Sequence, residues 1–370
     1  MQERGKKTLR VVLSVLCGAA LLLIVAFCAY RLWEKPPELA QSAPILDLSA
    51  RRVDNGDGGE ELEPGSAVEN GRQDGVYTIA WMSDPQHYSK KFPEYYYAMT
   101  EFLRDHREEL NLAYIINTGD LVHNTDLDSE WQVADRAQAM IDEIPNGVLA
   151  GNHDILDPIG YTTFCRIFGE KRYRDKPWYG GSFENNRGHF DLLTVGQTEY
   201  LFVYMGFGPN KEAIQWVYDT FQAYPDRVGV LCLHDYYTKT QTLSEDGKKW
   251  YEQVVKKSPN LYMVLCGHKY GAYCFPEDFD DDGDGKADRT VYQMLFNYQA
   301  SLHDGGGAYL RLMQIDEQAG TMHHLTYSPY FEDYNRFDDP ANRETYYPFD
   351  EKNEEFTLPL PWMINHKSAN

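Results

Sequence analysis

The sequence predicts an α/β fold with more than one β-sheet, carried by residues 76–330. From residue 76 onward, short apolar runs that end in polar residues alternate with amphipathic helical segments, a pattern typical of parallel strands joined by helices. Beyond residue 290, three further segments alternate apolar and polar residues, as antiparallel strands do. Because one parallel sheet does not accommodate both patterns, we expect two sheets.

The first part of this region alternates strands and helices. VYTIAWMS (76–83) is followed by a helix near residues 94–105, LAYIINTG (112–119) is followed by a helix near residues 129–141, and GVLAGN (147–152) is a third strand. Strands repeated in this way lie parallel, so the loops that follow them gather at one edge of the sheet.

The second part predicts more strands than helices. HFDLLTV and EYLFVYMGF (189–207) read as a hairpin, a helix follows near residues 211–221, and VGVLCLH (228–234) and LYMVLCGH (261–268) read as buried strands. VYQMLFNYQ, AYLRLMQID and TMHHLTY, within residues 291–327, alternate like antiparallel strands. Residues 331–370 carry no motif, and we expect a C-terminal extension packed on the domain.

An uncharged apolar stretch over residues 11–30 precedes this domain. As a helix rising about 1.5 Å per residue, it would span a bilayer core of about 30 Å. Residues 1–10 contain four basic side chains, so the positive-inside rule places them in the cytoplasm and the rest of the chain outside. A cleaved signal peptide is the alternative, but the stretch is longer than usual for one and no small-x-small site follows closely. We expect a single-pass signal anchor in the cell membrane and, over residues 31–75, a flexible acidic linker.

Composition excludes one class of partner. The 370 residues are 42% hydrophobic and 25% charged, as in globular proteins, and the formal net charge is −22. A strongly acidic chain repels polyanions, so we expect no nucleic-acid binding.

Polar residues able to bind metal stand where the apolar runs end. They are Asp84, Gln86, Asp120, Asn152, His153, Asp154, His234 and His268. Ligands of open α/β sheets bind beyond the carboxyl ends of the strands, so these scattered residues should converge. Each one alone is also explained as an ordinary turn residue.

In order along the chain, the segments DPQ, GDLVH, GNHD, a lone His before Asp, and GHKY resemble the five sequence blocks of the calcineurin-like metallophosphoesterases. DPQ stands where the family usually has DxH, and GHKY where it has GHxH. The resemblance covers about residues 75–330, and SDPQHYS is similar to a bacterial, membrane-anchored branch. It implies two mixed β-sheets packed face to face and flanked by helices.

The resemblance also implies a dinuclear metal centre. The matching positions for its ligands are Asp84, Gln86, Asp120, Asn152, His234, His268 and Tyr270. Asp120 takes the bridging position, and mixed nitrogen and oxygen ligands suit Mn, Fe or Zn. Gln86 and Tyr270 stand where the family usually has histidines. We therefore expect the first metal position, which they share with Asp84, to bind more weakly than the second.

Hydrolysis of a phosphate mono- or diester by metal-activated water is the activity that the resemblance implies. His153 matches the residue that helps the leaving oxygen depart, and Asp154 beside it is expected to fix its tautomer. A small molecule or a cell-envelope polymer would be the substrate, and Trp178, Tyr179 and Phe183 either stack on it or pack the core. Gln86 and Tyr270 leave an alternative open, a catalytically weak ectodomain that binds a phosphorylated or glycan ligand.

A second metal site is predicted in FDDDGDGKAD. Asp280, Asp282, Asp284 and Asp288 follow the spacing that begins a calcium loop, with Gly285 at the sharp turn. The usual Glu at the twelfth position is absent. The sequence thus predicts calcium here, with a solvated acidic loop as the alternative.

Overall fold

The structure is a computed structural model that describes residues 68–70, 75–155, 160–299, 305–334 and 351–364. The predicted cytoplasmic segment and anchor, residues 1–30, and most of the predicted linker lie outside these ranges. Within the described ranges, no helix has both the length and the apolar character needed to cross a membrane.

The described strands, in chain order, are β1 Val68–Asn70, β2 Val76–Met82, β3 Leu112–Asn117, β4 Asn146–Val148, β5 Tyr179–Phe183, β6 Gly188–Val195, β7 Thr198–Met205, β8 Val228–Leu233, β9 Leu261–Cys266, β10 Gly271–Phe279, β11 Arg289–Asn297, β12 Leu310–Asp316, β13 Thr321–Tyr327 and β14 Glu355–Pro359. The α-helices are α1 Gln86–Lys91, α2 Pro93–Asp105, α3 Asp128–Ala139, α4 Thr162–Phe168, α5 Glu170–Tyr173, α6 Lys211–Ala223 and α7 Glu245–Gln253. Short 3-10 turns lie at His153–Ile155, Val255–Lys257, Glu351–Asn353 and Pro361–Met363.

These strands form two mixed sheets. Six of them have the order β14-β13-β12-β2-β3-β4, with β2, β3 and β4 parallel and the other neighbours antiparallel. The eight-stranded sheet has the order β1-β6-β7-β8-β9-β11-β10, with β5 paired to β6. Its parallel centre is β7, β8, β9 and β11. Every residue of β3 is buried, as expected for a parallel strand covered on both faces.

The two sheets pack face to face through aromatic side chains. Tyr114 of β3 stacks on Phe202 of β7 with ring centroids 4.0 Å apart, and Trp81 of β2 lies 5.5 Å from Phe296 of β11. Helices cover the outer faces, with Met99 and Trp131 packed on the six-stranded sheet and Phe221 and Trp250 on the eight-stranded one. The predicted pair of mixed sheets flanked by helices is therefore confirmed.

Several details differ from the sequence expectations. The strand predicted over 147–152 is only three residues long, because the chain leaves β4 at Val148 to form the turn that carries Asn152 and His153. Strand β10 was missed, and the acidic segment after it is the turn of a β10–β11 hairpin. Within 331–370, β14 pairs antiparallel with β13 and forms one edge of the six-stranded sheet.

Candidate metal centre

Three of the predicted ligands adopt a left-handed backbone conformation where a strand ends. The φ angles are 55° at Asp84 after β2, 55° at Asp120 after β3, and 66° at His268 after β9. Residues other than glycine adopt such angles at a cost of about 1–3 kcal/mol, and they cluster at functional sites. The sharp turns aim all three side chains into one crevice at the carboxyl ends of the parallel strands.

Glycines next to these residues make room for the carboxylates. A Cβ placed on Gly151 would lie 2.1 Å from Oδ1 of Asp120, and one on Gly267 would lie 2.2 Å from Oδ2 of Asp84. No larger residue fits at either position without displacing a carboxylate. The glycines of GNHD and GHKY therefore serve a steric purpose in the crevice.

The crevice brings Asp120, His234 and His268 together. One possible ligand atom from each residue lies within 4.8 Å of the others. Nε2 of His234 is 3.3 Å from Oδ1 of Asp120 and 3.1 Å from Oδ1 of Asn152. Four of the predicted ligands, from four separate loops, thus offer oxygen or nitrogen atoms to one small volume.

The tautomer of His234 suits metal binding. Its Nδ1 lies 2.8 Å from the carbonyl oxygen of Thr118, a pure acceptor, so Nδ1 carries a proton and Nε2, which faces the crevice, is the nitrogen that a metal would bind. Burial lowers the pKa of His234, but the charge of Asp120 outweighs it and raises the pKa to about 10. The surroundings of this ring therefore favour a positive charge, which a cation would also supply.

The two carboxyl groups of the crevice repel each other. Burial, with the charge of Asp120, raises the pKa of Asp84 to about 7, whereas the neighbouring His234 counteracts burial and lowers the pKa of Asp120. Carboxylates that share a buried site are stabilised by cations. The donors and the charge of the second position thus fit a divalent metal.

The ligands predicted for the first metal position form a less complete set. Asp84 accepts the backbone N–H of His268 on both oxygens at 3.1 Å, and Gln86 donates from Nε2 to Oδ2 of Asp120 at 2.8 Å. Oε1 of Gln86 is buried without a hydrogen-bond partner among the described atoms. Such an oxygen could instead be a ligand of a cation. Tyr270 is half-buried in the turn between β9 and β10.

His153 lies at the edge of the crevice with its ring held by the main chain. Its backbone N–H donates to Oδ1 of Asp120 at 2.9 Å, and its ring Nδ1 is 3.0 Å from the carbonyl oxygen of His123. The expected role of Asp154 in fixing the tautomer of His153 is therefore wrong, because the partner of Nδ1 is a carbonyl oxygen.

Asp154 instead joins two loops. Its carboxyl group is completely buried and accepts backbone N–H bonds from Leu121 at 3.1 Å, Val122 at 2.9 Å and Gly151 at 2.8 Å. In the 3-10 turn His153–Ile155, adjacent side chains point in different directions, so Asp154 faces the loop after β3 while His153 faces the crevice. Through these hydrogen bonds, Asp154 fixes the relative position of the two loops that carry Asp120 and Asn152.

Two further histidines, His123 and His87, lie beside His153. The sequence alone did not indicate a role for them. The ring of His123 stacks on His153, and that of His87 stacks on His123. Burial foremost lowers the pKa of both His87 and His123. Their positions in the segments SDPQHYS and GDLVH were the available signal, but only the fold shows that the three rings form one row.

Comparison with known protein families finds a match to this part of the chain. The family model described as calcineurin-like phosphoesterase matches residues 77–303. The chain belongs to the calcineurin-like phosphoesterase family. The Bacillus subtilis protein YvnB is 42% identical over 266 residues, which are 71% of this chain but only 21% of YvnB. The chain thus spans about a fifth of the length of this relative.

Solved structures include distant matches to the phosphoesterase domain. A dimetal phosphatase from Danio rerio superposes with a TM-score of 0.47 at 11% identity, over 69% of this chain and 97% of that one. The Plasmodium protein GAP50 superposes with a TM-score of 0.46 at 10% identity, over 70% of this chain and 86% of that one.

Away from the crevice, the phosphoesterase domain carries the acidic turn between β10 and β11. Carboxylate oxygens of Asp280, Asp282 and Asp284 lie within 4.8 Å of one another, and all three residues are exposed. The carboxylate of Asp288 is not part of this group and accepts the backbone N–H groups of Asp281 at 2.9 Å and Asp282 at 3.2 Å. The structure gathers three of the four predicted calcium ligands.

The three aromatic residues expected either to stack on substrate or to pack the core have protein contacts. Trp178 and Tyr179 are 4% and 5% exposed and belong to the core of the phosphoesterase domain. Phe183 packs against Trp216 of α6 with ring centroids 5.7 Å apart. Packing and not substrate stacking explains these three side chains.

Proposed function

We propose that the protein hydrolyses a phosphate mono- or diester with water activated between two divalent ions. The observation that carries the proposal is the convergence of Asp120, His234 and His268 within 4.8 Å at the carboxyl ends of the strands. In the family to which the chain belongs, this crevice is the place for phosphoester chemistry. Loss of these residues should abolish activity.

The residues divide into two groups by what they would hold. Asp120 would bridge the two ions, Asn152, His234 and His268 would complete the second position, and Asp84 and Gln86 would hold the first. Bound Mn, Fe or Zn would lower the pKa of water and offset the charge of the phosphate. Oε1 of Gln86 is already free to turn toward a cation, since Nε2 and not Oε1 faces Asp120.

His153 would act on the leaving oxygen. Because Nδ1 gives its hydrogen to the carbonyl of His123, Nε2 is the nitrogen that can deliver a proton to the departing alcohol. Asp120 holds the His153 backbone N–H, so the ring stays next to the phosphate site. This arrangement needs no participation of Asp154 in proton transfer.

We further propose that residues 11–30 anchor the domain outside the cytoplasm, where a small phosphate ester or a cell-envelope polymer would be the substrate. The support is the apolar stretch with its preceding basic residues. Protease added to intact cells should digest the domain and leave residues 1–10 protected. Protection of the whole chain would contradict this placement.

The activity is tested with the full chain in detergent. p-Nitrophenyl phosphate and bis(p-nitrophenyl) phosphate should be hydrolysed with added Mn and not after chelation, and Asp120→Ala should abolish the reaction. Failure to hydrolyse either ester with Mn, Fe or Zn would reject the enzyme and favour a domain that only binds a phosphorylated or glycan ligand.

A further inference from the structure

A row of three imidazole rings leads away from the candidate metal centre. The ring centroids of His153 and His123 are 4.8 Å apart with planes inclined by 25°, and those of His123 and His87 are 5.3 Å apart and inclined by 28°. His153 is the inner end, because its backbone N–H binds Asp120. The row therefore extends outward from the residue assigned to the leaving oxygen.

The row offers ring edges to a ligand. Both faces of His123 are covered by its two neighbours, and all three rings are half-buried. The edge of an imidazole carries its N–H group, which donates to oxygen atoms, whereas an aromatic ligand would require a free face. His123 therefore has no free face for a nucleobase, whereas its ring edge can meet an oxygen-rich group.

Positive charge adjoins the row. Lys90 lies on α1, three residues after His87, and its ammonium group acts electrostatically on both His87 and His123. Lys90 and Lys91 are exposed, and neither forms an ion pair with any residue in the described ranges. In a chain with a net charge of −22, two unpaired lysines beside a catalytic crevice form a local exception.

The buried carboxylate of Glu130 lies near the row and offsets part of this charge at His123, but it forms no ion pair with Lys90. Oε2 of Glu130 accepts the backbone N–H groups of His123 and Asn124, each at 2.8 Å, and Oε1 accepts the Asn124 side chain at 2.7 Å. Glu130 is thus occupied in holding the loop that carries His123. The Lys90 ammonium group has no carboxylate partner in the described ranges and can contact a ligand.

We propose that His123, His87 and Lys90 form a subsite for a leaving group that carries its own negative charge, such as a carboxylate or a second phosphoryl group. This inference rests on the proposed phosphoesterase function, since the subsite continues from the leaving oxygen. An overall acidic protein repels an anionic substrate, and a local cationic subsite would offset that repulsion at the point of binding.

Matched substrates test the subsite. Phenyl phosphate and 3-carboxyphenyl phosphate, together with their methyl diesters, have phenols of nearly equal acidity, but only the second carries a charged leaving group. We expect kcat/KM to be about tenfold higher for the carboxylated ester at low salt. Equal values for the two esters would overturn the proposal.

Variants show which residues cause the preference for the carboxylated ester. Lys90→Gln removes the charge, and His87→Phe keeps a stacked ring without its N–H, so each should lower the ratio of the two kcat/KM values several-fold. Lys257→Gln is the matched control, because Lys257 is exposed and precedes the amino end of β9, whereas the crevice lies at the carboxyl ends of the strands. A ratio that is unchanged in both Lys90→Gln and His87→Phe would contradict the proposal.

Ligand affinity can be measured without hydrolysis, so it tests the subsite separately from the proposed phosphoesterase activity. Benzylphosphonate and 3-carboxybenzylphosphonate are non-hydrolysable analogues whose affinities for the metal-loaded full chain can be measured by calorimetry. Tighter binding of the carboxylated analogue, lost in Lys90→Gln and kept in Lys257→Gln, supports the subsite even in a protein without turnover. Equal affinity for the two analogues rejects it, whether or not the esters are hydrolysed.

Discussion

The ring nitrogen Nδ1 of His153 lies 3.0 Å from the backbone carbonyl oxygen of His123. A carbonyl only accepts hydrogen bonds, so this contact leaves Nε2 of His153 to face the crevice. The carbonyl is itself held in place, since the His123 backbone N–H donates to the buried carboxylate of Glu130 at 2.8 Å. Main-chain geometry thus performs the orienting role that is often given to an acidic side chain.

The first prediction concerns His153. His153→Ala should lower kcat by about 10²–10⁴-fold, the usual contribution of general acid catalysis, and leave the bound metal unchanged. Steady-state kinetics combined with elemental analysis measures both. His323→Ala, which alters a partly exposed histidine bonded to Glu355, is the control. Unchanged turnover in His153→Ala would remove this residue from the mechanism.

Replacing Asp120 should have a different signature. Its two oxygens contact His234, Gln86 and the backbone of His153, so Asp120→Ala removes the central negative charge of the crevice. Metal and activity should be lost together, whereas Asp226→Ala, at an exposed position, should retain both. Retention of two metal ions by Asp120→Ala would contradict the bridging role.

The two metal positions should differ in affinity. Gln86 supplies a neutral amide oxygen, a poorer ligand for Mn, Fe or Zn than imidazole, and Tyr270 ligates well only as phenolate. Calorimetric titration should show one tight and one weak site, and Gln86→His should tighten the weak one. Ferric iron on Tyr270 would instead give a visible charge-transfer band that Tyr270→Phe abolishes. Two equally tight sites without such a band would count against this interpretation of both residues.

The acidic turn is tested with calcium. If Asp280, Asp282 and Asp284 bind the ion only when folded, millimolar calcium should raise the melting temperature by mass action. Asp282→Ala and Asp284→Ala should abolish the increase, and Asp226→Ala should preserve it. An equal calcium response in every variant would identify the turn as a solvated acidic loop.

A buried histidine that is not among the predicted metal ligands should make stability depend on pH. Burial lowers the pKa of His189 to about 3, below its ordinary value near 6.5, so the unfolded chain binds a proton that the folded chain does not. The free energy of unfolding should therefore fall as the pH decreases below about 6.5, by about 2 kcal/mol at pH 5.

A variant isolates this contribution. His189 stacks on Tyr204 with centroids 4.4 Å apart, so His189→Phe keeps a stacked ring without a titrating group. Burial raises the pKa of the neighbouring Asp191, which acts in the opposite sense, so the comparison is between wild type and variant. Urea unfolding at pH 7 and pH 5 measures the difference. Equal pH dependence in both proteins would show that His189 is charged when folded.

Periodicity and short motifs were sufficient for most of the architecture. The helix expected near residues 94–105 is Pro93–Asp105, and that expected near 211–221 is Lys211–Ala223. The strand expected over residues 321–327 is Thr321–Tyr327. These elements can be predicted from the sequence because each buries one face or both faces along its whole length, which gives a regular pattern of apolar residues. The polar residues at strand ends could be found in the same way, since parallel strands end at a common edge.

Contacts between loops distant in sequence could not be found in that way. His153 and Asp154 are adjacent in the chain, yet one faces the crevice and the other binds the amides of Leu121 and Val122. The row of His87, His123 and His153 likewise exists only after three segments distant in sequence meet at the carboxyl ends of the strands. Residue type and order establish which groups reach that edge. The direction of each side chain depends on the φ and ψ angles of each turn, and these are set by packing between loops that the one-dimensional pattern does not encode.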